Sequence, residues 1–234
     1  MEEPRKDRVL SLDLSTKTGW ALLSGPDTLE ASGVLHMAKK PGDYPLAYPL
    51  NYVAAAKDHA WAILCLVNEQ RPTVVVVEET TPGHETYSHK ILEFIHFAVA
   101  EALCLRGPIY YLRTGEWRRA VGLQLTKEQA KANLRKNLDK AKREASAIRF
   151  LLKQLKGKLK HSDHAEKLRA DLKALRMFRT TRKHLAVEKA NSIYGLKLIQ
   201  KENDQADAIL IGRAFCLGAT RCDGKPPTSG KKIE

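Results

Sequence analysis

Four carboxylates of this 234-residue chain stand where the surrounding residues are those of a soluble core. Asp13 interrupts an apolar strand, and Glu78 ends a run of four valines. Asp204 and Asp207 are three residues apart, so they share one face of a predicted helix. Buried charges are costly unless they are paired or bind a metal ion, and clustered acids would raise one another's pKa values. A pair of Mg²⁺ ions, which prefer oxygen ligands, would remove this conflict.

Each acid also has an ordinary structural interpretation. Asp13 can begin a turn, and Glu78, which Glu79 follows, can be a solvated strand end. Asp204 suits a helix N-cap and Asp207 a favourable first-turn charge. That pair, taken alone, indicates capping more often than catalysis. Only the combination of the four acids, in this order along the chain, favours a metal site.

Hydrophobic periodicity predicts the elements that position these acids. Three strands form an antiparallel meander, and the four valines indicate a later strand that is buried on both faces. In chain order the predicted elements are strands 9–14, 20–23 and 29–36, helix 52–69, strand 73–78, helix 87–105, strand 109–112, and closing helices 184–195 and 203–217. The fold class is therefore α/β, a five-stranded mixed sheet flanked by helices, and this order resembles that of RNase H-like domains.

Residues 126–181 have a different character. They lack proline, and leucine and alanine recur at three- or four-residue steps, which predicts an inserted helical hairpin that reverses near Gly157 and 161–164. Residues 126–183 hold 19 Lys/Arg and 6 Asp/Glu, an excess equal to the formal net charge of +13 of the whole chain. Such a block suits nucleic acid, although a solvated lysine-rich face is the alternative.

Composition indicates the remaining organisation. Residues 1–218 are predicted to be one domain that contains the 126–181 insertion, and 219–234 a disordered tail. Four cysteines without a CxxC pair argue against a zinc or disulfide framework. Nothing approaches the ~20 apolar residues of a membrane span, and the first eight residues lack a signal-peptide core. We expect a cytoplasmic protein, with a nucleoid-associated or viral setting as variants of that expectation.

Three segments together resemble the catalytic motifs of RuvC-like Holliday-junction resolvases, members of the RNase H-like superfamily. They are LDLSTKTGWA with Asp13, PTVVVVE with Glu78, and DQADA with Asp204 and Asp207. The resemblance covers roughly 9–122 and 183–217. It implies that the four acids are catalytic and hold two divalent ions, Mg²⁺ or alternatively Mn²⁺. It also implies a homodimer that cuts opposed strands of a four-way DNA junction by two-metal hydrolysis.

The chain departs from that family in three places. Its first turn is one residue shorter and lacks an early glycine. Glu79 stands where bacterial members more often carry glutamine, so it is either a further metal neighbour or, as we favour, a surface residue. The 126–181 insertion has no counterpart in the compact bacterial enzyme, so whether it binds DNA, dimerises or recruits a partner is open.

DNA affinity is expected to come mainly from phosphate contacts. Trp117 could stack on a base, although a core position is favoured, and the leucine stripe of the insertion could instead pack on a partner subunit. Lys183 could touch the scissile phosphate or be an ordinary surface lysine. The candidate phosphate-binding residues are Lys17, Arg113, Arg118, Arg119, Lys131, Arg135, Lys142, Arg143, Arg149, Lys153, Lys156 and Lys183.

Three other functions are compatible with parts of this pattern. The same fold and acids could cut a flap or an RNA–DNA hybrid. An ATPase of the actin and sugar-kinase type also places an Asp and hydroxyl residues on its first hairpin, but it needs two such domains and a second Gly-rich phosphate motif. A catalytically inactive junction-binding protein is disfavoured because all four acids are present. Cleavage-site preference and choice of metal are not encoded in these motifs.

Overall fold

A five-stranded mixed sheet is the centre of the computed structural model, which describes residues 8–79, 87–155, 162–176 and 181–219. The strand order is β3-β2-β1-β4-β5, with β1, β2 and β3 antiparallel and β1, β4 and β5 parallel. The strands are β1 (Val9–Asp13), β2 (Lys17–Gly25), β3 (Thr28–His36), β4 (Val74–Glu78) and β5 (Ile109–Leu112). The α/β fold class and the mixed sheet predicted from the sequence are confirmed. Strand β2 is longer than the four residues that the pattern indicated.

Eight α-helices lie among the described residues. They are α1 (Leu50–Gln70), α2 (Tyr87–Leu103), α3 (Thr114–Ala120), α4 (Lys127–Ala132), α5 (Arg135–Gln154), α6 (Asp163–Arg176), α7 (Arg182–Tyr194) and α8 (Asn203–Cys216). The short helix α3, directly after β5, was not predicted, because seven residues are too few to show a helical period. No helix among the described residues is long and apolar enough to span a bilayer.

The two faces of the sheet are covered by different helices. Leu10 and Leu12 of β1 and Val77 of β4 belong to a core that α1 and α2 complete. On the opposite face Ser11 lies under α8, where its Oγ donates a hydrogen bond to the carbonyl of Ala208 at 2.7 Å. Strand β4 is covered on both sides and is apolar except for its last residue, Glu78, as predicted for the valine strand.

The chain divides into two compact units. Among the described residues, those up to Leu123 and from Ala186 onward form the unit that contains the sheet, and those between Gln124 and Leu185 form the second. In the second unit α5 packs on α6, with Ala145, Ala165 and Leu168 buried. The helices predicted in the insertion are thus present. Of the predicted chain reversal at Gly157 and 161–164, Gly157 and 161 lie outside the described residues, whereas Asp163 and His164 are already in the first turn of α6. Residues 220–234 of the predicted disordered tail also lie outside the described residues.

Candidate active site

Asp13 and Glu78 end two neighbouring parallel strands. Leu12 pairs with Val77 in the β1–β4 ladder, so the next residue of each strand lies beside the other at the carboxyl edge of the sheet. Leu12 and Val77 face the α1 and α2 core, and side chains alternate along a strand. Asp13 and Glu78 therefore belong to the opposite face, which α8 covers.

The first turn of α8 lies against this same edge. Gly19 pairs with Asp13 in the β1–β2 ladder, and a Cβ at Gly19 would lie 1.9 Å from the Asp204 carbonyl oxygen. Farther along the helix, a Cβ at Gly212 would lie 2.6 Å from Ser11 Oγ. Helix α8 thus begins at the carboxyl ends of β1 and β4 and runs back along β1. Its N-terminal acids, Asp204 and Asp207, consequently lie at the end of the sheet where Asp13 and Glu78 stand.

The four acids differ in exposure. Asp207 is buried, with 6% of its surface exposed, whereas Asp13, Glu78 and Asp204 are half-buried. Asp204 is not the N-cap of α8, because the helix begins at Asn203 and Glu202 occupies the cap position. The Asp204 carboxylate lies in the first turn of α8, where the positive end of the helix dipole attracts negative charge.

Two of the acids have partners from other elements. The Thr114 hydroxyl, at the start of α3, donates a hydrogen bond to Glu78 Oε1. The Lys17 ammonium lies 3.4 Å from Asp204 Oδ2 and donates a hydrogen bond to the Lys201 carbonyl at 2.7 Å. Neither partner follows from the motifs, since a threonine and a lysine near an acid carry no distinctive sequence signal.

A buried histidine lies beneath the turn that follows Asp13. Thr18 Oγ1 donates to the Ser15 carbonyl at 2.9 Å and lies 2.9 Å from His59 Nε2. Because the hydroxyl has only one proton, His59 is the donor in the second bond and carries its proton on Nε2. Burial lowers the pKa of His59, against a smaller opposing contribution from the Ser15 backbone, so its neutral form is favoured. The sequence pattern did not indicate a role for His59, because this residue stands within the apolar stripe of α1.

The site of the four acids does not itself constitute a ligand cage in this structure. Among the described residues no three Asp, Glu, His or Cys side chains are grouped closely enough to hold a metal ion. The structure brings the four predicted acids to one end and one face of the sheet. Their role as metal ligands stays a prediction.

The basic candidates of the sheet unit have varied surroundings. Arg113 Nε lies 3.2 Å from Glu79 Oε2 and both are exposed, which agrees with a surface position for Glu79. Trp117 is completely buried, so the favoured core interpretation is confirmed and it cannot stack on DNA in this conformation. The Arg118 guanidinium lies 5.0 Å from the Trp117 ring centroid, and Arg119 is exposed.

The basic candidates of the second unit lie mainly on its surface. Lys131, Lys142, Arg143, Arg149, Lys153 and Lys183 are exposed. Arg135 begins α5, but its side chain lies outside the described atoms, and Lys156 lies outside the described residues. Lys183 is in the first turn of α7, within Gln124–Leu185, and its predicted contact with a scissile phosphate stays a prediction.

Comparisons with known proteins support the fold. No protein-family model matches the chain, and no curated protein matches it. A solved structure of Thermus thermophilus RuvC is similar with a TM-score of 0.53 at 13% identity, and RuvC of T. thermophilus in complex with a Holliday junction substrate with 0.52 at 12% identity. Each alignment covers 90% of this chain and 93% of the other. The chain therefore has the RNase H-like fold of RuvC, as the three motifs predicted.

Proposed function

We propose that this chain is a metal-dependent endonuclease that resolves four-way DNA junctions by paired phosphodiester hydrolysis. The observation that carries the proposal is the convergence of Asp13, Glu78, Asp204 and Asp207 from β1, β4 and α8 on one end of one sheet face. A solved structure of the same fold is a complex with a Holliday junction substrate, which supports the choice of substrate.

The acids fit divalent metal ions by the chemistry of their donors. All four offer only carboxylate oxygens, which hard cations such as Mg²⁺ and Mn²⁺ prefer. Asp13, Glu78, Asp204 and Asp207 would hold the ions. When bound, two ions supply an activated water and stabilise the leaving oxygen.

The neighbours of the acids position them for this role. Thr114 orients Glu78 through its hydroxyl, and Lys17 places a positive charge beside Asp204. His59 and Thr18 hold the turn between Asp13 and Lys17 from the opposite side of the sheet. Lys17 would also be available to attract a phosphate to the acidic edge, which is how its predicted contact with DNA would arise.

DNA affinity would come from cations contacting phosphates. Each phosphate contact releases counterions, so binding should weaken steeply as salt rises. We also propose a homodimer, because two copies related by a two-fold axis would present two sites to opposed strands of a two-fold junction. We also propose that the protein is cytoplasmic, as expected from its composition. The basic candidates in both units are the residues we expect to contribute.

Cleavage of a synthetic four-way junction tests the proposal. A labelled junction is compared with matched linear duplex, flap and RNA–DNA hybrid, in Mg²⁺ or EDTA. Asp13→Asn is the inactive variant. Glu93→Gln is the matched control, because Glu93 is an exposed acid of α2, on the other side of the sheet.

Paired nicks that require Mg²⁺, that are restricted to the junction and that disappear only in Asp13→Asn would establish the proposed activity. Cutting of the flap or the hybrid alone would leave the catalytic role of the four acids in place but would show that the substrate is not a four-way junction. Binding without any cutting would refute the enzyme and leave a junction-binding protein. Sedimentation of the chain at micromolar concentration would test the homodimer separately.

A further inference from the structure

Helix α5 in the second unit has an inward and an outward face. Its inward residues recur at helical spacing, and they are Leu138, Ala141, Ala145, Ile148 and Leu152, which are buried or half-buried. Ala165 and Leu168 of α6 are buried in the same unit. At about 100° per residue, Phe150 lies on the opposite side of α5 from this stripe, and 62% of its surface is exposed.

Three exposed cations lie near Phe150, one along its line on α5 and two on one flank of the helix. Arg143 precedes it by two helical turns on nearly the same line, and Arg149 and Lys153 lie to one side. All three are exposed, and no acid of the described residues lies within 4.0 Å of their charged groups. Lys142, also exposed, lies 3.8 Å from Asp139. The exposed surface of α5, from its outward face to one flank, therefore combines an exposed aromatic ring with three cations that have no acidic partner among the described residues.

The pattern of charge indicates which kind of partner fits this face. An apolar protein surface could cover the ring but would bury three uncompensated cations, which is unfavourable. A nucleic acid meets both requirements, because its phosphates attract the cations and the face of a base can stack on the ring. From Arg143 to Lys153 the helix rises about 15 Å, which is about the length of four stacked nucleotides.

We propose that Phe150 stacks on an unpaired base of bound DNA, while Arg143, Arg149 and Lys153 contact phosphates of the same strand. In a continuous duplex the base faces are stacked on one another, so the ring contact selects strands in which a base is unpaired. The identity of that DNA as a branched junction rests on the proposed function. The contact itself rests on the α5 face and gives the second unit a role in recognising DNA structure.

Binding measurements on the full chain in EDTA test this inference. The variants are Phe150→Ala, Phe150→Leu and Arg149→Gln, with Leu151→Ala as the matched control because Leu151 is an exposed apolar neighbour in α5. Fluorescence anisotropy gives the Kd for an oligothymidine strand, a junction with unpaired central bases and a continuous duplex. Circular dichroism and the thermal midpoint verify folding.

We expect Phe150→Ala and Phe150→Leu to weaken binding to the single strand and the open junction by about 5- to 150-fold, the range of stacking on one base. Duplex binding and the salt dependence should stay within about two-fold of the parent, since neither involves a stacked ring. Arg149→Gln should weaken all three DNAs and lower the slope of log K against log salt by about one. Leu151→Ala should change none of them.

A fluorescent 2-aminopurine base gives an independent readout. Stacking on Phe150 should change its emission at one position of the strand, and the change should vanish in Phe150→Leu. Unchanged Kd values in both Phe150 variants would overturn the inference, as would equal losses on duplex and single strand. A shift of Phe150→Ala from dimer to monomer would overturn it too, because the face would then be a protein interface.

The two proposals fail separately. If the chain cuts no junction but loses single-strand binding in Phe150→Leu, the stacking contact stands and the resolvase proposal is refuted. If it cuts junctions normally and the Phe150 variants bind like the parent, the stacking contact alone is refuted.

Discussion

The ammonium of Lys17 lies 3.4 Å from the Oδ2 atom of Asp204, and it also donates a hydrogen bond to the carbonyl of Lys201. These two contacts join the residue that begins β2, close to Asp13, to the start of α8, which carries the other aspartates. Lys17 thus connects β2, the strand that follows Asp13, to α8, and it adds a positive charge to an acidic edge.

Replacement of Lys17 by methionine should show separately what Lys17 contributes to stability, by linking β2 to α8, and what its charge does to metal binding. The pair is partly exposed, so we expect the free energy of unfolding to fall by less than about 1 kcal/mol. Removing a cation that opposes a metal ion should tighten Mn²⁺ binding by about two- to five-fold, which corresponds to the same energy range. Urea denaturation and electron paramagnetic resonance titration with Mn²⁺ measure the two quantities.

The matched control for Lys17 is Lys57→Met. Lys57 forms a comparable surface pair with Glu101, 3.5 Å apart, between α1 and α2. Its loss should leave Mn²⁺ binding unchanged. Weaker Mn²⁺ binding in Lys17→Met than in the parent would contradict the assignment of the acidic edge as the metal site.

Thr114→Val should lower the cleavage rate because it removes the hydroxyl that orients Glu78. Groups that hold a metal ligand in position typically contribute about 10- to 100-fold to activity or metal affinity, and we expect a loss in that range. Thr114→Ser retains the hydroxyl and is expected to keep most of the activity. Single-turnover cleavage at saturating DNA provides the measurement, and equal rates in the two variants would exclude a positioning role for the hydroxyl.

Gly19→Ala should destabilise the protein and displace the start of α8. The added Cβ would meet the Asp204 carbonyl at 1.9 Å, and a helical backbone cannot move away as a flexible side chain can. Overpacking of this kind typically costs about 1–3 kcal/mol. Gly115→Ala is the control, because a Cβ there would meet nothing within 4 Å. Denaturant midpoints of both variants test the contact, and equal stability would show that α8 does not approach β2 this closely.

Acid should weaken the fold through its buried histidines. Burial lowers the pKa of His96 to about 4, and it also lowers the pKa of His59. The unfolded chain, with histidine pKa values of about 6.5, takes up protons before the native state does, so the free energy of unfolding falls as pH decreases. For His96 this contribution is complete above about pH 6.5 and is lost progressively between there and about pH 4.

The urea midpoint of unfolding at pH 7.5, 5.5 and 4.5 measures this pH dependence. His96→Phe keeps an aromatic ring close to Tyr111, whose ring centroid lies 6.4 Å from that of His96, and should reduce the change between the three values. His36→Gln, at an exposed position, should leave it unchanged. A pH dependence that is identical in His96→Phe and the parent would exclude His96 as its source.

Much of the fold and the composition of the candidate site followed from local sequence patterns. Alternation along β1 assigns Leu10 and Leu12 to one face of the sheet and Ser11 and Asp13 to the other, because the geometry of a strand imposes a period of two. Four successive valines indicate burial on both faces because no polar side is left. The excess charge of 126–183 is likewise a property of composition alone.

The partners of the acids were decided only by tertiary structure. Thr114 with Glu78, Lys17 with Asp204 and His59 with Thr18 are pairs from elements far apart in the chain. Nothing in the local period of either element specifies such a pair, because it depends on where the helices pack on the sheet. The burial of Trp117 depends on the same packing. Local patterns thus predict which residues could do chemistry and the face on which each lies, whereas the close packing of helices on the sheet sets what each one contacts.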